Sequence, residues 1–472
     1  MVARKQIERE RVPIPTHELA FHPHSFADDA GRLFSWNERL WRGINYTHAP
    51  FFDKLFGEGI VDHLVKRKLL IESEPTDLAV DGYAMVIGHR SVPFVSYPHE
   101  WCAAMLKDAA LTILDLAIEL AKQDLVLRDA HPWNVLVDWS GPVFVDLTSI
   151  ALAGHQSVWP AYDEFCRFCY YPLILMSQGQ ERIARSLLPE YEGVLRSEVL
   201  ALLRGSGPSR FLVSKALQRP FNSMRSVFGK NLNRQAPAFL RRARRALEGL
   251  PLPSYRERHR RRRIESMAST STEAEWTARP LTLRKILNEL KPETILDLSR
   301  GPTWTSTVPA IMGFKVVSID PDPARISVLY ETSRRKNLSI LPFIVDFLKP
   351  TPSVGYSNHY SIAATERLRC DMVLALGLTR IALENHLTLD LIVEGLASFT
   401  KRWLVVGFGE EKTEQSKLEV SPPQAGKDSC VPGSIPGSPG VEDFIGALRR
   451  RFSEVSVVSS SSQSGVWLLC KK

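Results

Sequence analysis

Two regimes of hydrophobic patterning divide the chain. From Trp276 onward the runs "TILDL", "KVVSID", "ILPFIVDF", "CDMVLAL" and "RWLVVGF" are short and almost wholly apolar, and segments of helical period separate them. Strands covered on both faces read this way, so the alternation predicts a parallel sheet with helices on both sides. A helix, "VEDFIGALRRRF", and two final runs, "EVSVVSS" and "GVWLLCKK", close the chain, near enough together to pair as a hairpin.

The first half is mixed. "AGRLFSWNERLWRGI" predicts a hairpin turning at Asn37 and Glu38, residues 51–71 read as helical, and "AMVIGH" and "PFVSY" read as strands. A long helix starts near Trp101. Its most apolar stretch, "ALTILDLAIELA", is too short to span a bilayer and carries Asp115 and Glu119, so it predicts a core helix. From Ala161 to Leu250 the spacing is again helical, broken at "GSGPS" and around Pro220.

These changes of pattern predict three parts. Residues 1–250 form an α+β domain, a small sheet followed by a helical subdomain. Residues 251–275 form a linker, with six arginines between Arg256 and Arg263 and no apolar period after them. Residues 276–472 form a doubly wound α/β domain, interrupted at about 412–440 by a Pro-, Gly- and Ser-rich insertion, "PGSIPGSPG", expected to be disordered.

Charge changes this picture little. The net charge is +8, from 60 Lys and Arg against 52 Asp and Glu, and much of the excess sits in the linker. No aromatic residues interleave those arginines to stack bases, so no nucleic-acid partner is expected. Six scattered cysteines argue against a disulfide framework, and "MVARKQIERERVPIP" has no apolar run behind it, so neither export nor a transmembrane segment is expected; cytoplasm is the expected compartment. Cys166 and Cys169 lie in a helical segment without further ligands and are expected to pack in the core, while His22 and His24 read as surface residues; no metal site is expected from either pair.

The chemistry sits at strand ends. A doubly wound sheet binds its ligand beyond the carboxyl ends of its first strands, and here acids mark the strands: Asp297 ends the first, Asp320 the second, Asp346 follows the third, and Asp371 opens the fourth. An ionised carboxylate after the second strand suits both hydroxyls of a ribose. Ribose with adenine fits NAD or S-adenosylmethionine. The first turn lacks the G-x-G-x-x-G that would hold a pyrophosphate, which favours the second.

The closing helix and strand pair, with "ILDLSRGPTWTSTVPAIMGFKVVSIDPDP", "ILPFIVDFLKPTP" and "DMVLALGLTRIAL", resemble the seven-stranded class I methyltransferases. The likeness is nearest to the methyltransferase-like half of rhizobial host-specific nodulation proteins. The resemblance covers about residues 276–472. It implies S-adenosylmethionine as cofactor, with Asp297, Ser299, Gly301 and Thr303 in the turn beside its methionine part, Asp320 at the ribose, and Asp346 with Phe347 at the adenine. It also implies a small-molecule or lipochito-oligosaccharide-type acceptor and a nodulation context. The chain departs from the pattern at Ser299 and Thr303, where glycines are usual, and at Thr379 and Arg380, where related proteins tend to carry histidines.

In the first half, "RDAHPWNVLVDWSGPVFVDL" sets Asp129 and Asn134 five residues apart, with Asp146 after a short hairpin. The stretch resembles the catalytic loop of protein kinases and aminoglycoside phosphotransferases, and the resemblance implies that residues 1–250 form a kinase-like domain. The resemblance implies that Asp129 meets an acceptor hydroxyl while Asn134 and Asp146 hold magnesium on ATP. Leu127 stands where histidine is usual and "DLT" where D-F-G is usual. No lysine is convincingly placed on a third strand, since Lys66 and Lys68 read as helical, and without that cation the phosphates lose a main charge partner. Three functional readings remain: methyl transfer by the second half, magnesium- and ATP-dependent phosphotransfer by the first, or a non-catalytic binding protein with degenerate sites.

Overall fold

The computed structural model describes residues 11–22, 25, 28–154, 159–203, 236–253, 276–300, 303–358, 360–409, 440–461 and 465–472. The chain forms two compact units. One is Met1–Arg256 with Ser353–Ser361, and the other is Glu257–Pro352 with Ile362–Lys472. The arginine-rich linker, the interruptions at "GSGPS" and Pro220, the insertion at 412–440, Gly301 and His24 lie outside the described residues.

In the first unit, strands β1 (Ala20–Phe21), β2 (Gly31–Trp36), β3 (Arg39–Ile44), β4 (Ser73–Pro75) and β5 (Met85–His89) form an antiparallel sheet in the order β1-β2-β3-β5-β4. Asn37 and Glu38 turn the β2–β3 hairpin with φ of 50° and 58°, a left-handed pair that matches strand twist. Helices α1 (Ala49–Gly57) and α2 (Ile60–Lys66) occupy the segment read as helical, while Pro93–Tyr97 forms no strand. Two prolines in "VPFVSYP" withhold ladder donors there, and the short apolar run alone misleads.

Helix α3 (Ala103–Ala121) is the spine of this unit, with Met105, Leu106, Ala109, Ala110, Ile113 and Leu114 buried. After it come β6 (Leu125–Leu127), the hairpin β7 (Val135–Asp138) and β8 (Gly141–Phe144), and β9 (Ile150–Leu152), which returns antiparallel to β6. Those pairings bring residues 128–134 and 145–149, the two ends of the motif, alongside each other.

In the second unit, β10 (Thr294–Asp297), β11 (Lys315–Ile319), β12 (Ile340–Phe343), β13 (Cys370–Ala375), β14 (Thr400–Phe408), β15 (Glu454–Ser461) and β16 (Gly465–Lys471) form one sheet in the order β12-β11-β10-β13-β14-β16-β15. The first five run parallel, and β16 is antiparallel to both of its neighbours. Ile295, Val316, Ile340, Met372, Leu374 and Val405 share one core cluster with Leu283 and Leu287 of helix α4 (Ala278–Leu290). Each such fully buried aliphatic side chain contributes roughly 1.5–3 kcal/mol. The strand order reverses between β10 and β13, which places a crevice at their carboxyl ends.

Candidate functional site

The turn after β10 is organised by Asp297. Its carboxylate, 3% exposed, accepts from the Ser299 amide (2.8 Å), the Thr305 hydroxyl (2.6 Å) and the Ser306 hydroxyl. Burial raises its pKa, against the lowering effect of those donors. Ser299 ties the turn to β13: its hydroxyl accepts from the Leu376 amide (2.9 Å) and lies 3.4 Å from the Leu374 carbonyl. The Ser299 hydroxyl, at one of the positions where glycine is usual, therefore closes the turn by hydrogen bonds. Thr303 precedes helix α5 (Trp304–Ile311) without a side-chain cap bond, and the buried hydroxyl oxygens of Thr303 and Thr307 have no hydrogen-bond partner among the described residues. Unpaired buried hydroxyls are costly, and at a ligand crevice they mark a place where a polar group can enter.

Asp320 stands at the end of β11, 8% exposed. It accepts from the Asp322 amide (2.7 Å) and from Arg325 (3.3 Å). Burial raises its pKa and Arg325 offsets part of the rise. The next residues, "DPDP", start helix α6 (Pro323–Lys336): Asp322 accepts from the Ala324 amide and Pro323 fills the first turn. Asp346, three residues beyond β12, accepts from the Leu348 amide (3.1 Å), and Arg300 lies 3.9 Å from it. Arg300 also lowers the pKa of Asp320, by less than Arg325 does.

Other expected residues sit elsewhere. Phe347 is 8% exposed and packs 6.3 Å from Phe399, with Gly395 beneath its ring. Asp371 opens β13 and therefore lies at the amino-terminal edge of the sheet, where its carboxylate accepts from the Glu293 amide. It does not join the other three acids. Thr379 donates to the Gly407 carbonyl inside the core, and Arg380 pairs with Glu384 one helical turn on.

The first unit gathers its own cluster. Asp129 accepts from the His131 amide (2.9 Å) and shares a hydrogen bond with Glu164, whose own carboxylate accepts from the Ala130 amide (2.8 Å). Burial, then the neighbouring Asp129, pushes the Glu164 carboxyl up to about 8. His131 is held down to about 4, chiefly by burial, and its Nδ1 accepts from the Trp133 amide. Asn134 contributes its backbone carbonyl to the Val145 amide, stitching the loop to the segment before Asp146.

Asp146 meets a cation that the sequence pattern did not reveal. Arg42, on β3 and 7% exposed, pairs with Asp28 and with Asp146 (3.3 Å) and donates to Thr148 (2.8 Å). Thr148 in turn donates to Asp146 (2.6 Å). Cys166 and Cys169 lie in a short π-helical stretch, both buried, with burial raising their thiols.

No protein-family model matches the chain. It is similar to nodulation protein NoeA of Rhizobium meliloti (strain 1021), 26% identical over 383 residues that cover 77% of this chain and 79% of that protein, which bears out the resemblance to nodulation proteins. Among solved structures it is similar to the N-methyltransferase NodS from Bradyrhizobium japonicum WM9 (16% identical, covering 40% of this chain and 90% of that one, TM-score 0.26). It is also similar to the N-terminal domain of EvdMO1 with SAH bound (13% identical, 45% and 96%, TM-score 0.28).

Proposed function

We propose that the second unit is a methyltransferase that takes its methyl group from S-adenosylmethionine. The observation that carries the reading is the sheet order β12-β11-β10-β13-β14-β16-β15 with β16 alone reversed, together with Asp320 and Asp346 at the carboxyl edge of its first strands. Asp320 would hold the ribose hydroxyls and Asp346 the exocyclic amine of adenine. Thr303 and Thr307 supply hydroxyls that have no partner among the described residues, in the first turns of the helix that follows. Asp297 acts through the turn, which it holds with three hydrogen bonds.

When bound, the cofactor supplies an electrophilic methyl on a sulfonium. What the chain must do is align an acceptor with it and exclude water, and a strong base is not required for every acceptor. The similarity to nodulation protein NoeA supports a place in host-specific nodulation, with a small-molecule or lipochito-oligosaccharide-type acceptor. Among the described residues no helix is long and apolar enough to cross a membrane. For the first unit, the acid expected to hold magnesium on ATP, Asp146, is instead paired with Arg42, so the phosphotransfer reading is the weaker one.

Calorimetric titration of the full chain with S-adenosylmethionine tests the proposal. Asp320→Asn keeps the shape and removes the charge. Losing charge-assisted hydrogen bonds of about 1.5–3 kcal/mol should weaken binding roughly 10- to 100-fold. Equal affinity in both proteins, or no binding by the wild type, would sink the assignment.

A further inference from the structure

The ring of Trp133, next to Asn134 in the first unit, is the centre of an aromatic cluster. Tyr97 lies 5.0 Å from it, His99 5.8 Å and His131 6.2 Å. A fourth neighbour, Tyr360 at 5.1 Å, comes from a distant stretch, Ser353–Ser361, that packs as part of this unit. The turn carrying it is shaped to deliver the ring. Gly355 has φ +91°, where a side chain is strained, and a Cβ there would stand 2.1 Å from the Cβ of Tyr360. The amides of Tyr360 and Ser361 both donate to the Val354 carbonyl, and the Ser361 hydroxyl accepts from the Val354 amide.

The phenol is not placed among apolar groups alone. Burial raises its pKa, and the carboxyls of Asp129 and Glu164 raise it further, so the hydroxyl stands within the field of the acid pair. With Glu164 held neutral beside Asp129, that pair offers acceptor oxygens to an incoming O–H, while the tilted rings of Trp133 and Tyr97 offer the faces and edges that aromatic groups prefer. A ring with a hydroxyl at its far end meets both requirements together.

We propose that the loop at Asp129 forms a binding site for a hydroxyl-bearing aromatic ring, with Trp133 and Tyr97 as its platform and the Asp129–Glu164 pair as its hydroxyl acceptor, and that Tyr360, 46% exposed, is its tethered occupant. The site belongs to the first unit. A tethered occupant acts at an effective concentration of roughly millimolar, so a free ligand must displace the Tyr360 ring to reach the platform.

Hydrogen exchange of the full-length protein, read at the amides of residues 128–134, tests this. Tyr360→Ala should raise exchange there several-fold and leave the strands of the second unit at wild-type protection. Adding ~10 mM phenol should restore protection in Tyr360→Ala, have little effect on the wild type, and fail in the Tyr360→Ala/Trp133→Ala double variant. Anisole, which has the ring but no O–H, should not restore it. Unchanged exchange in Tyr360→Ala, no rescue by phenol, or equal rescue by anisole would overturn the proposal. Should the alanine variant fail to fold, Tyr360→Phe, which keeps the ring, should raise exchange at the same amides by less, and an unaltered pattern in that variant overturns it equally.

Discussion

Replacing Glu164 by Gln should remove a pH dependence of stability from the first unit. The glutamine keeps the shape of the side chain, can still accept from the Ala130 amide, and can donate to Asp129, so packing is conserved while the titration disappears. In the folded protein the Glu164 carboxyl titrates at about 8, raised from 4.5. Its folded value lies above the unfolded one, so between those values the unfolded chain binds fewer protons and wild-type stability falls as pH rises. At ~1.4 kcal/mol per pH unit the full difference corresponds to at most ~5 kcal/mol. The group is partly solvated and shares its proton with Asp129, which brings the expected effect to about 2 kcal/mol. The effect is absent below pH 4.5 and complete above pH 8. His131, held at about 4, titrates in both proteins and largely cancels in the comparison. Urea unfolding of wild type and variant at pH 5, 6.5 and 8.5, followed by exchange at the α3 amides so that the two units are separated, measures the difference. The variant should gain about 2 kcal/mol on the wild type from the lowest to the highest pH. Parallel pH profiles would refute the reasoning.

Two further substitutions probe the clusters. Arg42→Leu leaves Asp28 and Asp146 without their shared cation and should cost about 3–5 kcal/mol in the first unit, seen as a lower urea midpoint there alone. Thr303→Val removes a buried hydroxyl that has no partner among the described residues; it should raise the urea midpoint of the second unit slightly while weakening S-adenosylmethionine binding about 3- to 10-fold, the value of one hydrogen bond. A gain in stability with unchanged affinity would remove Thr303 from the cofactor site.

The second unit was the more legible because its strands are buried on both faces. "TILDL" and "KVVSID" leave little room for any other reading, and the acids that end them fall at the crevice by the geometry of parallel strands alone. Asp371 shows the limit: an acid at the start of a strand looks much like one at the end until the strand direction is known, and it caps the opposite edge. In the first unit, "PFVSY" has strand composition without donors to spare. Arg42 and Glu164 escaped because their partners are remote; Arg42 meets Thr148 across 106 residues, and no local period announces a cation on a half-polar strand. A charged residue at an inward position of a short sheet, on a strand otherwise facing the core, was the one signal available for Arg42.

The central claim is that the carboxyl edge of the second unit's sheet holds an adenosyl group. A crystal structure of the full chain with S-adenosylhomocysteine is the most direct measurement. The ribose hydroxyls should lie on the Asp320 carboxylate and the adenine beside Asp346. An adenosyl group bound elsewhere, or Asp320 still closed on Arg325 with the ligand absent at saturating concentration, would contradict it.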